Sequence, residues 1–353
     1  MNLRALLWLL LCAGLHVGTA RADTNCTASA PTVLDFGTIT NGAATPADTT
    51  LAIRVSCSTG ALSLLATTSI RMCLSLGTGS AGTTLTPFRR MTVGGVAPVG
   101  TGDSLNYQLY TNAARSVVWG STAAGTPGPV VLDLSYSVPL TTGTGAVTAT
   151  VYARIPANQV LSAGTFSSSF STTAVTLQYA YNEVLALSAP TPISCTTPAG
   201  AGGATGNKTF TGQFPFTVQA RVLPTCTAYT TTDMDFGSVA GAVAGNIDRT
   251  STIGLTCINR TAYSVGLDNG SHASGSSRRM RHATSTSSFI GYELYRDSGR
   301  TLRWGNTLNV DTVPGTGTGS AQTLTVYGRA LPTGTTLPSQ GTYSDVVTVS
   351  ITY

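Results

Sequence analysis

The residues that could carry catalysis are few. Outside the first 22 residues the sequence holds two histidines, His272 and His282, both in the polar stretch 269–284 beside several arginines. A serine-histidine-aspartate triad needs a nucleophile on a sharp turn and a set of oxyanion donors, and no such motif accompanies them. We interpret both as loop histidines on a solvated face, and we expect no enzyme.

An Asp-Phe-Gly tripeptide occurs twice, at residues 35–37 and 235–237. It matches one element of a kinase metal site, but the other kinase motifs are missing. We therefore predict a structural turn in which the aspartate bonds nearby backbone, the phenylalanine enters the core and the glycine adopts a special backbone angle. No metal site and no cofactor are predicted.

The N-terminus has the features of a secretory signal peptide over residues 1–22. Arg4 precedes an apolar run from Ala5 to Leu15, and Ala20-Arg21-Ala22 forms a cleavage signal before Asp23. The exported chain would reach a periplasm or an extracellular space. Its formal net charge of +5 is small and scattered, so nucleic acid is not an expected partner.

Two copies of one pattern follow each other along the chain. The matching segments occur in the same order in both copies: Cys26-Thr-Ala with Cys226-Thr-Ala, Asp35-Phe-Gly with Asp235-Phe-Gly, Cys57 with Cys257, Arg89-Arg-Met with Arg278-Arg-Met, Tyr107-x-Leu-Tyr with Tyr292-x-Leu-Tyr, Trp119-Gly with Trp304-Gly, and Val151-Tyr-x-Arg with Val326-Tyr-x-Arg. An ordered repeat of this kind indicates a duplicated domain.

Domain 1 is longer in its connections. The segment from Cys57 to Arg89 is 11 residues longer than that from Cys257 to Arg278, and more residues are added between Met91 and Tyr107 and between Trp119 and Val151. Added connections on a constant scaffold are typical of binding loops, although neutral loop drift is the alternative.

Short alternating runs bounded by Gly, Pro, Ser and Asn predict an all-β fold with two tandem β-sandwiches. We divide the chain into the signal peptide (1–22), an N-terminal domain (23–188), a flexible linker rich in Gly and Pro (189–212) and a C-terminal domain (213–353).

Six cysteines remain after residue 22, an even number typical of disulfides in an exported chain. Because the repeat places two cysteines at the same spacing in each copy, it predicts the pairs Cys26–Cys57 and Cys226–Cys257. Cys73 and Cys195 remain and are expected to pair with each other.

The stretch 213–226 lies between the two copies. Phe214, Phe216, Val218, Ala220 and Val222 alternate with polar residues, as in a strand with one buried face. This strand could complete domain 1 or begin domain 2. We favour the second for Val218 to Val222, because Cys226 must lie close to Cys257.

Both ends of the chain suggest assembly by strand exchange. The sequence ends on an alternating strand, which would leave an edge to be filled by another chain beside Val347, Val349, Ile351 and Tyr353. Only Asp23, Thr24 and Asn25 separate the predicted cleavage site from Cys26, so we expect this subunit to accept a strand but not to donate one.

The repeated motifs, with the closing Gly341-Thr-Tyr-x-Asp-x-Val-x-Val-x-Ile-x-Tyr353, resemble the spore coat protein U domain family, which includes pilins of archaic chaperone–usher fimbriae. The resemblance implies immunoglobulin-like pilin domains whose missing strand comes from a periplasmic chaperone and then from the next pilin subunit, after passage through an outer-membrane usher. A two-domain member resembles a fimbrial tip adhesin, located at the cell surface, that binds through its N-terminal domain.

The candidates for surface binding are apolar residues in the added segments of domain 1: Leu62, Leu64, Leu65, Val96, Pro98, Val99, Pro129 and Val130. At one end of a sandwich they would form a patch suited to an abiotic or host surface. Leu62, Leu64 and Leu65 could instead belong to a strand and face the core. A glycan-specific lectin and a structural pilus or coat subunit without a receptor are the rival functions.

Overall fold

The computed structural model describes residues 23–60, 66–139, 141–200, 203–335 and 337–353. These ranges are built almost wholly of β-strands, with a 3₁₀ turn at Thr172–Ala174, so the predicted all-β class is confirmed. No helix in the described ranges is long and apolar enough to cross a membrane. The predicted signal peptide and Leu62, Leu64 and Leu65 lie outside the described residues.

The first sandwich contains twelve of the described strands. They are β1 (Thr24–Ser29), β2 (Val33–Ile39), β3 (Ala47–Thr59), β4 (Ala66–Leu76), β5 (Arg89–Val93), β6 (Ser104–Tyr110), β7 (Val130–Val138), β8 (Gly143–Ile155), β9 (Gly164–Phe170), β10 (Val175–Val184), β11 (Ala204–Thr211) and β12 (Phe216–Val222). One sheet has the order β1-β3-β8-β6-β5-β9-β12-β2, and the facing sheet has the order β11-β10-β4-β7.

The second sandwich contains nine described strands. They are β13 (Cys226–Thr231), β14 (Ile247–Cys257), β15 (Ala262–Leu267), β16 (Arg278–His282), β17 (Phe289–Tyr295), β18 (Val313–Thr316), β19 (Ala321–Ala330), β20 (Tyr343–Ser344) and β21 (Val349–Thr352). Its sheets have the orders β13-β14-β19-β17-β16-β20 and β18-β15-β21. These orders repeat those of β1-β3-β8-β6-β5-β9 and β7-β4-β10, as a duplicated domain requires.

Each core lies between two sheets because alternate residues of a strand face inward. Ile53 on β3 and Met72 on β4 are fully buried in the first core. A tryptophan anchors each sandwich: the Trp119 indole N–H donates to the Leu74 carbonyl at 2.7 Å, and that of Trp304 donates to the Val265 carbonyl at 2.9 Å. The repeated Trp-Gly motif thus marks the same cross-sheet contact twice.

The three predicted disulfides are present: Cys26–Cys57, Cys73–Cys195 and Cys226–Cys257. Cys26 lies opposite Cys57 in the register of β1 and β3, and Cys226 lies opposite Cys257 in that of β13 and β14. The first and third bridges therefore join the same two strands in each sandwich.

The stretch between the copies differs from the sequence prediction. Strand β12 pairs antiparallel with β9 and parallel with β2, so Val218 to Val222 complete the first sandwich rather than begin the second. The preference for the second domain is therefore wrong. The argument from Cys226 failed because Leu223 to Thr225 suffice to carry the chain from β12 into β13.

The region expected to be a flexible linker is also ordered against the first sandwich. Its second part forms β11, which pairs with β10 over eight residues. Its first part contains Cys195, bound to Cys73, and the Pro190 carbonyl, which accepts a hydrogen bond from the Asn182 side chain at 2.7 Å. Composition predicted flexibility because it does not register these long-range contacts.

Candidate functional site

An open groove of about 430 Å³ lies in the second sandwich. Met234 and Phe236 form one side of the groove, and Val347 and Val349 form the other. Its floor is formed by core side chains of both sheets: Leu267, Met280, Tyr292, Leu294 and Val326. An opening between two unpaired segments, with core side chains of both sheets at its base, has the form of a site for an added strand.

The predicted donor-strand residues take different places around this groove. Val347 and Val349 line it, and Ile351 is half-buried against the second core. Tyr353 is 53% exposed and does not line the groove. The alternation of the closing motif therefore points Val347 and Val349 into the opening.

The first sandwich shows what fills the same place there. Phe216, Val218, Ala220 and Val222 of β12 are buried between β9 and β2. The second sandwich has no counterpart of β12 among its described strands, and residues 233–239, which match β2, form no strand. The groove therefore lies where β12 lies in the first copy.

Burial of matching core positions agrees with this comparison. Residues buried in the first sandwich are partly buried at the matching positions of the second: Leu34 against Met234, Met91 against Met280, Val175 against Val349, and Leu177 against Ile351. The core of the second sandwich is therefore less covered at the place that β12 takes in the first.

A polar cluster closes one side of the groove. The Asp345 carboxylate accepts a hydrogen bond from the Tyr292 hydroxyl at 2.7 Å, and His272 Nδ1 lies 2.9 Å from the same carboxylate. Burial, together with the bond to Asp345, raises the pKa of Tyr292 well above its usual range. Tyr292 thus stays neutral and holds the closing motif in place as a donor.

Both histidines contact the closing segment of the chain, His272 through Asp345 and His282 through the Gln340 carbonyl. His282 is 8% exposed at the end of β16 and packs against the Tyr343 ring, so its expected place on a solvated face is wrong. His282 Nδ1 accepts a hydrogen bond from the Ser285 amide, and the hydroxyl nearest to it, that of Thr284, is 3.4 Å away. Within the described ranges no cluster of three or more metal-ligating side chains occurs.

The Asp-Phe-Gly turn is confirmed in both copies. The Gly37 amide donates to Asp35 at 2.7 Å, and the Gly237 amide donates to Asp235 at 2.8 Å. Both glycines have positive φ, and the phenylalanine between each pair packs against its core. The motif is structural.

Each sandwich also contains a buried arginine that the sequence analysis did not assign a role. Arg89 donates to the Trp119 carbonyl at 2.6 Å and to the Gln108 side chain at 2.5 Å, and burial lowers its pKa to about 10. Arg278 donates in the same way to the Trp304 carbonyl and to Glu293. The repeated Arg-Arg-Met motif could have indicated this role, because an arginine that recurs beside apolar residues in both copies points to a buried side chain with hydrogen-bond partners.

The candidate surface residues do not come together. Val96, Pro98 and Val99 are exposed between β5 and β6, near Ile155 at one end of β8. Thr59, the last residue of β3, pairs with Gly143 at the other end of β8. With about 3.3 Å per residue the two ends of β8 are roughly 40 Å apart, so Val96, Pro98 and Val99 lie far from the end of β3. The predicted Leu62, Leu64 and Leu65 lie outside the described residues.

The prediction of an apolar surface loop at the third candidate segment is corrected by the structure. Val130 is the first residue of β7 and is 7% exposed, because it pairs with Leu74 and faces the core. Pro129 precedes it and is partly buried. This segment therefore supplies a strand to the sandwich and not an apolar surface loop at the predicted place.

A different exposed apolar group lies near the start of β4. Leu185, Leu187 and Ile193 are 73%, 91% and 69% exposed in the connection from β10 to β11. The Ala186 carbonyl accepts a hydrogen bond from Thr67 at the start of β4, which places this connection at the same end of the sandwich. The exposure of these residues was not predicted, because part of this segment was assigned to a flexible linker.

The two sandwiches are joined by side-chain and backbone hydrogen bonds. Asp103 of the first accepts hydrogen bonds from Arg260 Nε at 2.7 Å and Nη2 at 2.6 Å, and the Asp103 side chain is 2% exposed. These bonds hold the pKa of Asp103 well below its usual range. The Asn259 carbonyl accepts from the Ala163 amide at 2.8 Å, so backbone also ties the two sandwiches together.

The sequence matches the Spore Coat Protein U domain over residues 13–173 and again over residues 213–350. The chain belongs to the spore coat protein U domain family. We call the first and second sandwiches the first and second U domains. The boundaries of the matches differ from those of the sandwiches, because β10 and β11 lie between the two matches and β12, which completes the first sandwich, falls within the second match. The family and its fold are of a non-enzymatic class.

A curated relative is similar to one part of the chain. Protein U of Myxococcus xanthus is 35% identical over 121 residues, which are 33% of this chain and 65% of that protein. The chain thus spans less than two thirds of the relative's length.

Two solved structures are similar over most of the chain. One is the CsuC–CsuE chaperone–tip adhesion subunit pre-assembly complex of Acinetobacter baumannii, with 20% identity, 93% of this chain and 100% of that chain covered, and a TM-score of 0.39. The other is the CupB6 tip adhesin of Pseudomonas aeruginosa, with 13% identity, 94% and 96% coverage, and a TM-score of 0.34. These likenesses assign no role to any residue, and the family membership rests on the sequence match.

Proposed function

We propose that this chain is a non-enzymatic fimbrial adhesin that occupies the tip of an archaic chaperone–usher fimbria. The first U domain contacts a surface, and the second joins the fimbria by accepting a donor strand. The observation that carries the proposal is the open groove of the second U domain, at the place that β12 fills in the first.

Strand β12 supplies the physical template for the missing strand. Its ladder with β9 spans Phe216 to Val222, and alternate side chains enter the core. A donor with the same alternation would hydrogen-bond the exposed edge and cover Val347 and Val349. The proposed partners are a periplasmic chaperone during export, an outer-membrane usher, and the next pilin subunit in the fimbria.

The proposed adhesive surface is the end of the first sandwich that carries Leu185, Leu187 and Ile193. The Ala186 carbonyl between the two leucines accepts a hydrogen bond from Thr67, which places this surface near the start of β4. Apolar side chains that leave water gain about 25 cal/mol per Å² whatever the chemistry of the surface, which suits attachment to abiotic material. Val96, Pro98 and Val99 form a separate exposed group.

The donor-strand proposal is tested with the mature chain and two peptides. One peptide covers residues 214–222, and the control peptide has serine in place of Phe216, Val218 and Val222. The first is expected to raise the unfolding temperature of the second U domain by several degrees, and the control is expected to leave it unchanged. Equal effects of both peptides, or none from a fused β12-like strand, would contradict an open acceptor groove.

Attachment assays separate the adhesin from its rivals. Fimbriated cells carrying Leu185→Ser and Leu187→Ser are expected to lose binding to polystyrene, whereas cells carrying Leu302→Ser, an exposed change in the second U domain, are expected to keep it. Immunogold labelling at filament ends is expected for a tip subunit. Labelling along the shaft would favour the structural subunit instead.

A further inference from the structure

A second cavity, of about 420 Å³, lies on the outward face of β5 in the first U domain. One wall is the connection from β4 to β5, with Ser80, Thr83 and Thr84, and the other is the connection from β5 to β6, with Val96 and Pro98. Arg90 and Thr92 of β5 form its base. Two segments in which domain 1 is longer than domain 2 thus enclose one cavity of a size common for small-molecule sites.

The base of the cavity contains an unsatisfied donor. Thr92 is 3% exposed, and its Oγ1 has no hydrogen-bond partner within the described part of the chain. The Thr92 carbonyl is paired, since it accepts a hydrogen bond from the Gly95 amide at 3.0 Å. Buried hydroxyls are normally paired, so an unpaired one that lines a cavity points to a ligand oxygen.

The charge of the site is positive. Arg90 is exposed, and among the described residues it has neither an ion pair nor a hydrogen bond to its guanidinium, while no acidic residue lines the cavity. The matching residue of the second U domain, Arg279, is engaged: it donates to the His272 carbonyl at 3.1 Å and lies 4.2 Å from the Phe289 ring centre. Arg90 is therefore free to bind an anion where its counterpart is not.

The neighbouring buried arginine strengthens this difference. Arg278 of the second U domain is neutralised by Glu293, whereas Arg89 has the neutral Gln108 at the matching position. The region around Arg90 thus lacks the carboxylate that Glu293 supplies at the matching place in the second domain.

We propose that this cavity binds the carboxylated ring of a sugar acid. A guanidinium pairs well with a carboxylate, the hydroxyls of Thr92, Thr83 and Ser80 suit ring hydroxyls, and Val96 with Pro98 suits the apolar face of a pyranose. The site deepens the proposed adhesin role by adding a specific ligand, and it is distinct from the apolar end of the sandwich. Uronic acids and sialic acids share this chemistry.

The mature full chain is titrated with glucuronate, N-acetylneuraminate, glucose and acetate by calorimetry and saturation-transfer NMR. We expect saturable binding of one or both sugar acids, at least tenfold tighter than that of glucose or acetate, and weaker at high salt. Binding of glucuronate alone points to uronate polysaccharides, and binding of N-acetylneuraminate alone points to sialylated surfaces.

Three variants locate the site. Arg90→Gln is expected to weaken binding at least tenfold and Thr92→Val about threefold to tenfold, whereas Arg54→Gln, an exposed arginine on β3, should change nothing. Absence of saturable binding to either sugar acid, acetate bound as tightly as the sugar acids, or binding unaffected by Arg90→Gln overturns the site. Attachment of Arg90→Gln cells to polystyrene is expected to persist, so a failure here is distinguishable from failure of the adhesin proposal.

Discussion

Matching positions in the two U domains differ by single side chains that set local charge. The exchange of Gln108 for Glu293 is one such difference, and its surroundings explain it: the Gln108 amide donates to the Leu85 and Pro87 carbonyls at 2.7 and 3.0 Å, which a carboxylate could not do. Glu293 instead accepts from Arg303 Nε at 2.8 Å as well as from Arg278. The same buried arginine is thus held by neutral acceptors in one domain and by an ion pair in the other.

Glu183 is a buried carboxyl in β10 whose charge is poorly compensated. Its Oε1 accepts from the Thr24 hydroxyl at 2.5 Å, and its Oε2 has no partner in the described structure. Burial raises its pKa, and the nearby Asp23 adds to the rise while Lys208 and the Thr24 bond oppose it. Folding therefore makes Glu183 easier to protonate than it is in the unfolded chain.

This shift gives a pH-dependent prediction for Glu183→Gln. A raised folded pKa contributes stability that is present below the unfolded pKa, about 4.3, and is lost as pH rises through the folded value. We therefore expect the variant to unfold at a higher temperature than wild type near pH 7 and at nearly the same temperature near pH 4.

Asp133→Asn is the control of opposite sign, because the bond from Arg71 lowers the pKa of Asp133. In the wild type the charged Asp133 contributes stability above its unfolded pKa, and this contribution is lost as pH falls. Any loss of stability in Asp133→Asn should therefore appear near neutral pH. Parallel pH profiles for wild type and Glu183→Gln would contradict the assignment of Glu183.

At the scale of elements, β12 decides where one domain ends. The Phe216 ring stacks on Phe170 at 4.9 Å and lies 6.4 Å from Trp119, deep in the first core. Its period-2 pattern was visible in the sequence, but its partners were not, because a strand shows one buried face whichever sheet it joins.

Phe216→Ala is expected to destabilise the first U domain by about 3–5 kcal/mol, the cost typical of a large-to-small core change. The unfolding transition of the second U domain should stay unchanged in differential scanning calorimetry. The neighbouring change Thr217→Ala removes one exposed hydroxyl contact with Ser169 and should cost about 1 kcal/mol or less. A loss confined to the second transition would return β12 to the second domain.

At the scale of the molecule, the joint between the sandwiches depends on Asp103 and Arg260. Because the pKa of Asp103 is depressed in the folded state, its contribution is present above the unfolded pKa and is lost only as pH falls through the lower folded value. The joint should thus hold through mildly acidic conditions.

Arg260→Gln removes the cation and leaves Asp103 buried without its charged partner. We expect greater independent motion of the two domains, measured as a larger spread of orientations by small-angle scattering and as faster hydrogen exchange in residues 94–103. Arg249→Gln, a change on the exposed surface of β14, serves as the control. Unchanged exchange in residues 94–103 would show that the Asn259 contacts suffice.

Much of this molecule follows from patterns that act locally or repeat. Alternation predicted the all-β class because a strand has one buried face. The ordered repeat predicted two copies and the disulfides Cys26–Cys57 and Cys226–Cys257, since equal domains place equal cysteines opposite each other, and Cys73 and Cys195 were the two that remained. The turn at Asp35 was equally local, because its bond spans two residues.

Only the tertiary structure decided which sheet β12 joins, where the predicted linker 189–212 lies, and which apolar residues are exposed. Each of these depends on contacts between residues far apart in the chain, such as Val218 with Ser168 or Cys195 with Cys73. Loop position is likewise set by the end of the strand to which a loop is attached, so the exposed Val96 and Leu187 belong to different ends of one sandwich. The two copies share a sequence pattern, but the described groove is open in the second sandwich because β12 pairs with β9 of the first.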